Sequence, residues 1–555
     1  MTTTSRPPHQ AATPRSVRAP RPRNPSAPPR RPLTIVVTAA ILALAGFWPG
    51  ATALGAQEIP IAIETPVLPG VTYDDAVPGP DDVLGYRIGE RHTLPHEVVE
   101  YFRTVAESSP RVVLEEHART YEGRRLVHAI VTSPENHARL DEIRRANQRL
   151  SDAPETVSDA ELATMPAIAY LNYSIHGNEA SGTEASLLTL HHLAAGQGAP
   201  VESVLDNVVV IINPMLNPDG RDRFADWANR NRGGVAVSDP QDREHREAWP
   251  GGRTNHYWFD LNRDWLPLVH PESRGRVSVY HEWRPQVLTD YHEMGSDNTY
   301  FFMPGHPGRT NPFTPDVNQE LTAEMATYHA RLLDGIGSLY YTAEGYDDFY
   351  YGKGSTFPDV QGTVGILFEQ ASSRALERDT DNGLLTYAFT IRNQYTASLS
   401  TLEAAVAMRE RLLRYQRDYY ATADDWADDH PVKGYVVSLD ADRTRAQALA
   451  ELLQSHRVTV HELARDVEAD GQRFQAGRAY VVPVDQPQAR LIASVMEPMH
   501  EFQDSIFYDV STWTLPMAYG VQYAELTDGP GRLLGPELPP VTLDGGELVG
   551  GQASY

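Results

Sequence analysis

The chain has no cysteine in 555 residues, so neither a disulfide framework nor a thiolate metal site is open to it. Any metal must be held by imidazole and carboxylate. Lysine is almost missing as well, since only Lys353 and Lys433 occur, and basic charge is scarce overall: 48 Lys and Arg stand against 74 Asp and Glu, a formal net charge of −26. That balance excludes nucleic acid as a partner, because a phosphate backbone would be repelled. A long apolar span is lacking too. The apolar run at residues 33–48 falls short of the ~20 residues that usually cross a bilayer.

What is present begins with a leader. Residues 1–56 carry seven Arg, many Pro and no Asp or Glu, then the apolar run, then the small-residue stretch Ala51 to Ala56. This order matches a secretory signal peptide with cleavage after Ala53 or Ala56, and predicts a secreted or periplasmic protein with no stable membrane insertion once the signal is removed. Residues 57–95, rich in Pro, Gly and Asp, read as an extended lead-in. From 96 to 424 short apolar runs alternate with helical spacing: a hairpin near 111–133, a strand at 165–175, a helix at 183–195, a strand at 208–216, and strands at 285–291 and 363–370. Asn217 to Gly220 reads as a turn. The pattern predicts an α/β fold with a mixed central sheet and helices on both faces, closed by a long helical region at 384–423. After the acidic linker 424–431, residues 433–555 predict a smaller accessory α/β unit that opens strand, helix, strand and ends in some forty loosely structured residues.

Chemistry-bearing residues gather at strand ends. His176 and Glu179 lie three apart in YSIHGNEASG, at a strand-to-helix junction flanked by Gly177 and Gly182, and His292 ends another strand in LTDYHEMG. A single His-x-x-Glu carries little information. With a second histidine it becomes a His₂Glu set that can hold one Zn²⁺ and leave a fourth position open to water, while Glu369 in GILFEQASS stands ready as a base outside the ligand set. A glutamate after the apolar run TVGILF is costly to bury unless it has a task.

In this ordered set, His-x-x-Glu, then Asn262-Arg263 in FDLNRDW, then His292, then Glu369, the chain resembles the zinc carboxypeptidases of the M14 metallopeptidase family over residues 95–420. The resemblance implies one Zn²⁺ per chain on His176, Glu179 and His292, and Glu369 as general base. It further implies Asn262 and Arg263 at the carboxylate of a peptide substrate with a free C-terminus, Arg253 at the scissile carbonyl, and Asp260 behind the first zinc histidine. Arg230, Arg232 and Arg246 compete with Arg253 for that role. The family's mobile tyrosine falls on Tyr351, with Tyr350 and Tyr346 as alternatives. Lys353, in the stretch that normally shapes specificity, is open to selecting an acidic side chain. The expected activity is a secreted zinc carboxypeptidase. Two other functions fit less well: a zinc amidase of the same fold acting on cell-wall stem peptides or N-acyl amino acids, and an inactive protein that binds peptide termini.

Overall fold

The computed structural model describes residues 70–499 and 514–541; the expected leader, residues 1–56, lies outside them. Seven strands form the main sheet: β1 (Val112–Arg119), β2 (Arg125–Val131), β3 (Ala167–Tyr173), β4 (Val208–Asn213), β5 (Val287–Met294), β6 (Tyr300–Phe302) and β7 (Val364–Ala371). Their spatial order is β1-β2-β4-β3-β5-β7-β6. The neighbours β4, β3, β5 and β7 run parallel, and antiparallel strands flank them on both sides. The predicted mixed sheet is therefore present. The sequences AIAYLNY and VVVIIN of β3 and β4 are buried throughout, as strands covered on both faces must be.

Strand periodicity divides the core in two. Ala169, Leu171 and Tyr173 of β3 and Val208, Val210 and Ile212 of β4 point into one cluster; Ile168, Tyr170, Val209 and Ile211 point into the other. The first cluster is closed by helices α1 (Pro95–Ser108), α2 (Ser181–Ala195), α5 (Asp316–Gly335) and α6 (Tyr387–Ala407), with α3 (Pro218–Asn231) and α4 (Pro271–Trp283) lying between in sequence. Every residue of α2 is buried, because it is enclosed rather than laid on a surface. The second cluster contains Val277, Tyr280 and Trp283 of α4, and it extends without a break into the C-terminal unit through Leu449 and Leu453 of α7 (Arg443–Ser455) and Leu491 and Ile492 of α8 (Ala489–Met496).

That shared core changes the picture of the C-terminal unit. Its strand, helix, strand opening is present as β8 (Gly434–Ser438), α7 and β9 (His461–Leu463), followed by β10 (Ala479–Pro483). The segment expected to be loosely structured supplies two more strands among the described residues, β11 (Tyr523–Leu526) and β12 (Leu534–Glu537), and completes a five-stranded sheet in the order β11-β8-β10-β9-β12. Gly- and Pro-rich composition hid them because each is four residues long and held by pairing rather than by its own apolar run. Residues 217–220 also differ from expectation. They are the start of α3, with the Asn217 side chain accepting from the Gly220 N–H and Pro218 at the first helical position. Among the described residues no helix is long and apolar enough to cross a membrane.

Candidate metal centre and active site

The turn after β3 brings His176 and Glu179 together. Ser174 takes a left-handed conformation (φ 50°), its hydroxyl donates to the Glu179 carbonyl at 3.1 Å, and the Glu179 N–H donates to the His176 carbonyl at 3.1 Å. Gly177 is required here, since a Cβ at that position would lie 2.0 Å from the Arg221 backbone nitrogen. On the adjacent strand β5, Leu288, Asp290 and His292 share a face by their spacing of two. His292 stands in register with Glu369 of β7.

The three expected ligands converge. His176 Nδ1 lies 2.8 Å from Glu179 Oε1, His292 Nδ1 lies 2.7 Å from Glu179 Oε2, and the two Nδ1 atoms are 3.2 Å apart. All three side chains are buried. Among the described residues this is the one His/Asp/Glu group whose ligand atoms gather within 4.8 Å.

The outer atoms decide what the inner ones are. His176 Nε2 is 2.8 Å from Asp260 Oδ1, and His292 Nε2 is 2.8 Å from Asp290 Oδ2. Each carboxylate takes an N–H on the outer side, so each Nδ1 presents a lone pair inward. Two lone pairs and a carboxylate within hydrogen-bonding distance repel one another unless a positive charge lies between them. The donor set therefore fits a divalent cation of zinc's type. The same field acts on protons: burial opposes charge on both imidazoles, yet Glu179 with Asp260 raises His176, and Asp290 with Glu179 raises His292 well above the ordinary range. Asp260, despite burial, is held far below the usual carboxylate range by His176, Arg253 and Arg263.

Arg253 stands at the mouth of this centre. Its Nη1 is 3.2 Å from His176 Nδ1 and 3.3 Å from Glu179 Oε1, while Nη2 donates to Asp260 Oδ2 at 2.9 Å. The competing arginines lie elsewhere: Arg230 pairs with Asp226, Arg232 donates to the Glu90 carbonyl, and Arg246 bonds Gln241. Glu369 is partly buried and, among the described residues, no donor reaches its carboxylate. Burial pushes it up to about 8, opposed by His292 and His176 and assisted by Glu179. A cation between the imidazoles would add positive charge and draw it down.

Two expected residues stand differently. Tyr351 is buried, its hydroxyl 3.0 Å from Thr314 Oγ1, in the second core cluster. Among the three candidates Tyr346 is raised by burial and then by the Glu369 charge: it is half-buried, packs on Phe301 and donates to Met294 Sδ at 3.4 Å. Tyr350 points to the carbonyl of Arg263 at 3.4 Å. Asn262, expected at the substrate carboxylate, has its amide engaged inside the protein. Its Nδ2 donates to Asp290 Oδ2 at 3.1 Å and lies 2.9 Å from His292 Nε2, and its Oδ1 accepts from the Gly354 N–H at 2.8 Å. Gly354 allows this approach because a Cβ there would meet Asp290 Oδ2 at 2.6 Å. Arg263 is half-buried and donates to the Asn262 carbonyl at 2.9 Å. Lys353 is paired with Asp347 at 2.7 Å, so its charge already faces a carboxylate.

Sequence reading passed over Asp290 and Glu293. Asp290 had a signal, an acid two residues before a candidate ligand on an apolar strand. Glu293 accepts from Ser181 N–H at 2.8 Å and Ser372 Oγ at 2.6 Å, and its own N–H donates to Glu179 Oε2 at 3.1 Å, fixing the ligand carboxylate from behind.

Residues 98–353 match the zinc carboxypeptidase family model, Peptidase_M14. That match places a zinc carboxypeptidase-like domain over residues 98–353. Glu369 lies beyond the matched range, so its place in the site rests on the strand register described above. Among curated proteins the domain is similar to a probable carboxypeptidase 2 of Trichophyton verrucosum, 25% identical over 131 residues that cover 24% of this chain and 20% of the relative. Carboxypeptidase 2 of Trichophyton rubrum is likewise 25% identical, over 24% of this chain and 19% of its own length. The chain thus spans about a fifth of the length of the curated relatives it matches. Among solved structures it is similar to a metallo-carboxypeptidase from Burkholderia cenocepacia (TM-score 0.37, 15% identity, 56% of this chain and 67% of the other). A second is carboxypeptidase A from Helicoverpa armigera (TM-score 0.36, 18% identity, 57% and 74%).

Proposed function

We propose that the protein is an exported zinc metallocarboxypeptidase that releases C-terminal residues from peptides. The observation that carries this reading is the buried His176, Glu179, His292 centre, with a carboxylate behind each imidazole and Glu369 on the neighbouring strand. Zn²⁺ held by those three residues would supply Lewis-acid polarisation of water and of the scissile carbonyl. Glu369 takes the proton of the attacking water as the new C–O bond forms at the carbonyl carbon, and passes it to the leaving amine nitrogen as the C–N bond then breaks. Arg253 faces the carbonyl oxygen as negative charge develops on it, a placement commonly worth a factor of about 10²–10³ in rate. Arg263 pairs with the substrate's terminal carboxylate in the planar, two-bond geometry that only arginine offers. Asn262 acts here by holding Asp290, which orients His292, and Tyr346 serves as the phenol that closes over the base. The basic, then apolar, composition of residues 1–56 supports export.

The test is a matched pair of peptides, one with a free C-terminus and one amidated, given to the zinc-loaded full chain. The free peptide should be cut about tenfold to a hundredfold faster in kcat/KM, the scale of one charge-assisted pair. Equal rates would point to endopeptidase or amidase chemistry instead.

A further inference from the structure

The loop that supplies Arg253 and Asp260 has an outer face that the reaction leaves unused. Asn255 is fully buried at its centre; its Oδ1 accepts from the N–H groups of Tyr257 at 3.0 Å and Phe259 at 3.1 Å, and its own N–H donates to the Phe259 carbonyl at 3.1 Å. The Arg253 to Asp260 ion pair closes the base. Residues 256–258 are thereby turned outward, and Trp258 is held at φ 59°, a left-handed conformation unfavourable to a bulky side chain.

The turned-out residues are aromatic. Trp249, Tyr257 and Trp258 are 77%, 61% and 59% exposed. The rings of Trp249 and Trp258 lie 4.8 Å apart at 53°, and Tyr257 meets Tyr121 edge-on at 4.6 Å. Scattered exposed aromatics are ordinary, but a contiguous group held out by a strained backbone is the mark of a binding surface. Its chemistry narrows the ligand. Glu122, which bonds His256, is also paired with Arg124 and Arg223, so its charge is balanced and the rings themselves set what this surface can bind. Two indoles whose centroids are 4.8 Å apart rest on each other, so they offer a ligand one joint apolar surface rather than a slot between them.

We propose that this aromatic surface is a subsite for the polypeptide on the N-terminal side of the bond that is cut, selecting peptides with aromatic or large aliphatic side chains there. The proposal rests on the peptidase reading above. Continuity with the site supports it: only Phe259 separates Trp258 from Asp260, at most about 7 Å of backbone, so a peptide whose carbonyl faces Arg253 extends over the rings.

The zinc-loaded full chain is given four substrates that share one C-terminal residue: a blocked dipeptide, a hexapeptide with Phe and Leu upstream, a hexapeptide with Gly and Ser upstream, and the latter carrying a disaccharide. The apolar hexapeptide should exceed the Gly/Ser hexapeptide about tenfold in kcat/KM, mainly through KM. In Trp249→Ala/Trp258→Ala that ratio should collapse towards one, and Trp258→Phe, which keeps a ring, should restore most of it. Equal turnover of the two plain hexapeptides by the wild-type enzyme, or preference for the disaccharide-bearing one, overturns the subsite. Cleavage of none of the four, the dipeptide included, instead sinks the peptidase reading and the subsite with it.

Discussion

His176 and His292 near the C-terminal ends of the central strands β3 and β5 and His456 in the C-terminal unit are all buried, yet they live in opposite electrical surroundings. Around the first two stand Glu179, Asp260 and Asp290, which raise both imidazoles against the cost of burial. Among the described residues no carboxylate acts on the His456 ring. Its Nε2 lies 2.7 Å from the Leu266 carbonyl, and burial lowers it to about 4. Burial alone makes a histidine a neutral packing residue with one hydrogen bond. Burial among carboxylates makes a pocket that requires a cation, and that difference marks which part of this molecule is built for chemistry.

Exchanging the two kinds of histidine should give the largest contrast. His292→Ala is expected to lose both bound zinc, read by metal analysis, and more than about 10³-fold in kcat/KM, because two ligands do not hold the ion. His456→Ala should keep a full equivalent of zinc and lose about 1–3 kcal/mol of stability through the unpaired Leu266 carbonyl and the space left. The sign of the pH effect follows from the lowered pKa. The unfolded chain takes up a proton at His456 below about pH 6.5 while the folded chain waits until about 4, so stability falls as the pH drops through that window. His456→Ala should lose that part of the acid sensitivity. Full zinc occupancy in His292→Ala would erase the contrast.

Glu369→Gln comes next. The amide keeps shape and leaves the three ligands untouched, so zinc and peptide binding should persist while kcat falls about 10²–10⁴-fold. A variant with near wild-type kcat would move the base elsewhere, and the strand register between His292 and Glu369 would then have no catalytic meaning.

Asp290→Asn sharpens the comparison at the outer side of the ligand. An amide can present either oxygen or nitrogen to His292 Nε2, so the tautomer is no longer fixed, and zinc affinity should fall about 10- to 100-fold, measured by competition with a chelator. Asp260→Asn should act in the same direction on His176. Unchanged affinity in both would mean that the imidazoles are ligands without help from behind.

The sequence made the inner set and Asp260 readable and hid the rest of the support for one physical reason. His176, Glu179 and His292 follow apolar runs, so each announces a polar group at a strand end. Asp290, Gly354 and Asn262 gain their meaning only from one another, across 28 and 92 residues of chain. Tyr346 and Tyr351 look alike in DDFYYGKGS and its flank. What separates them is that the loop folds Tyr351 onto Thr314 and leaves Tyr346 within the field of the Glu369 charge, a choice made by tertiary packing. The main sheet was legible because β3, β4 and the first half of β7 carry near-continuous apolar runs. The four-residue strands β11 and β12 were not, since their stability comes from the partners they pair with.

The smallest effect on catalysis is expected from the shared core. Leu453 of α7 packs in the same cluster as Leu261, Trp265 and Leu266, which flank Asn262 and Arg263. Replacing it by Ala removes three carbons from a closed interior and should cost about 2–5 kcal/mol of stability. The cost is paid by the whole fold, so the unfolding midpoint should drop while zinc content and kcat, measured well below that midpoint, stay within about twofold. The C-terminal unit then serves the site by covering the second face of the sheet. If Leu453→Ala instead lowers kcat or weakens the preference for free C-termini while the protein is still folded, the cluster transmits position to Arg263, and the division between a chemical sheet and a packing sheet does not hold.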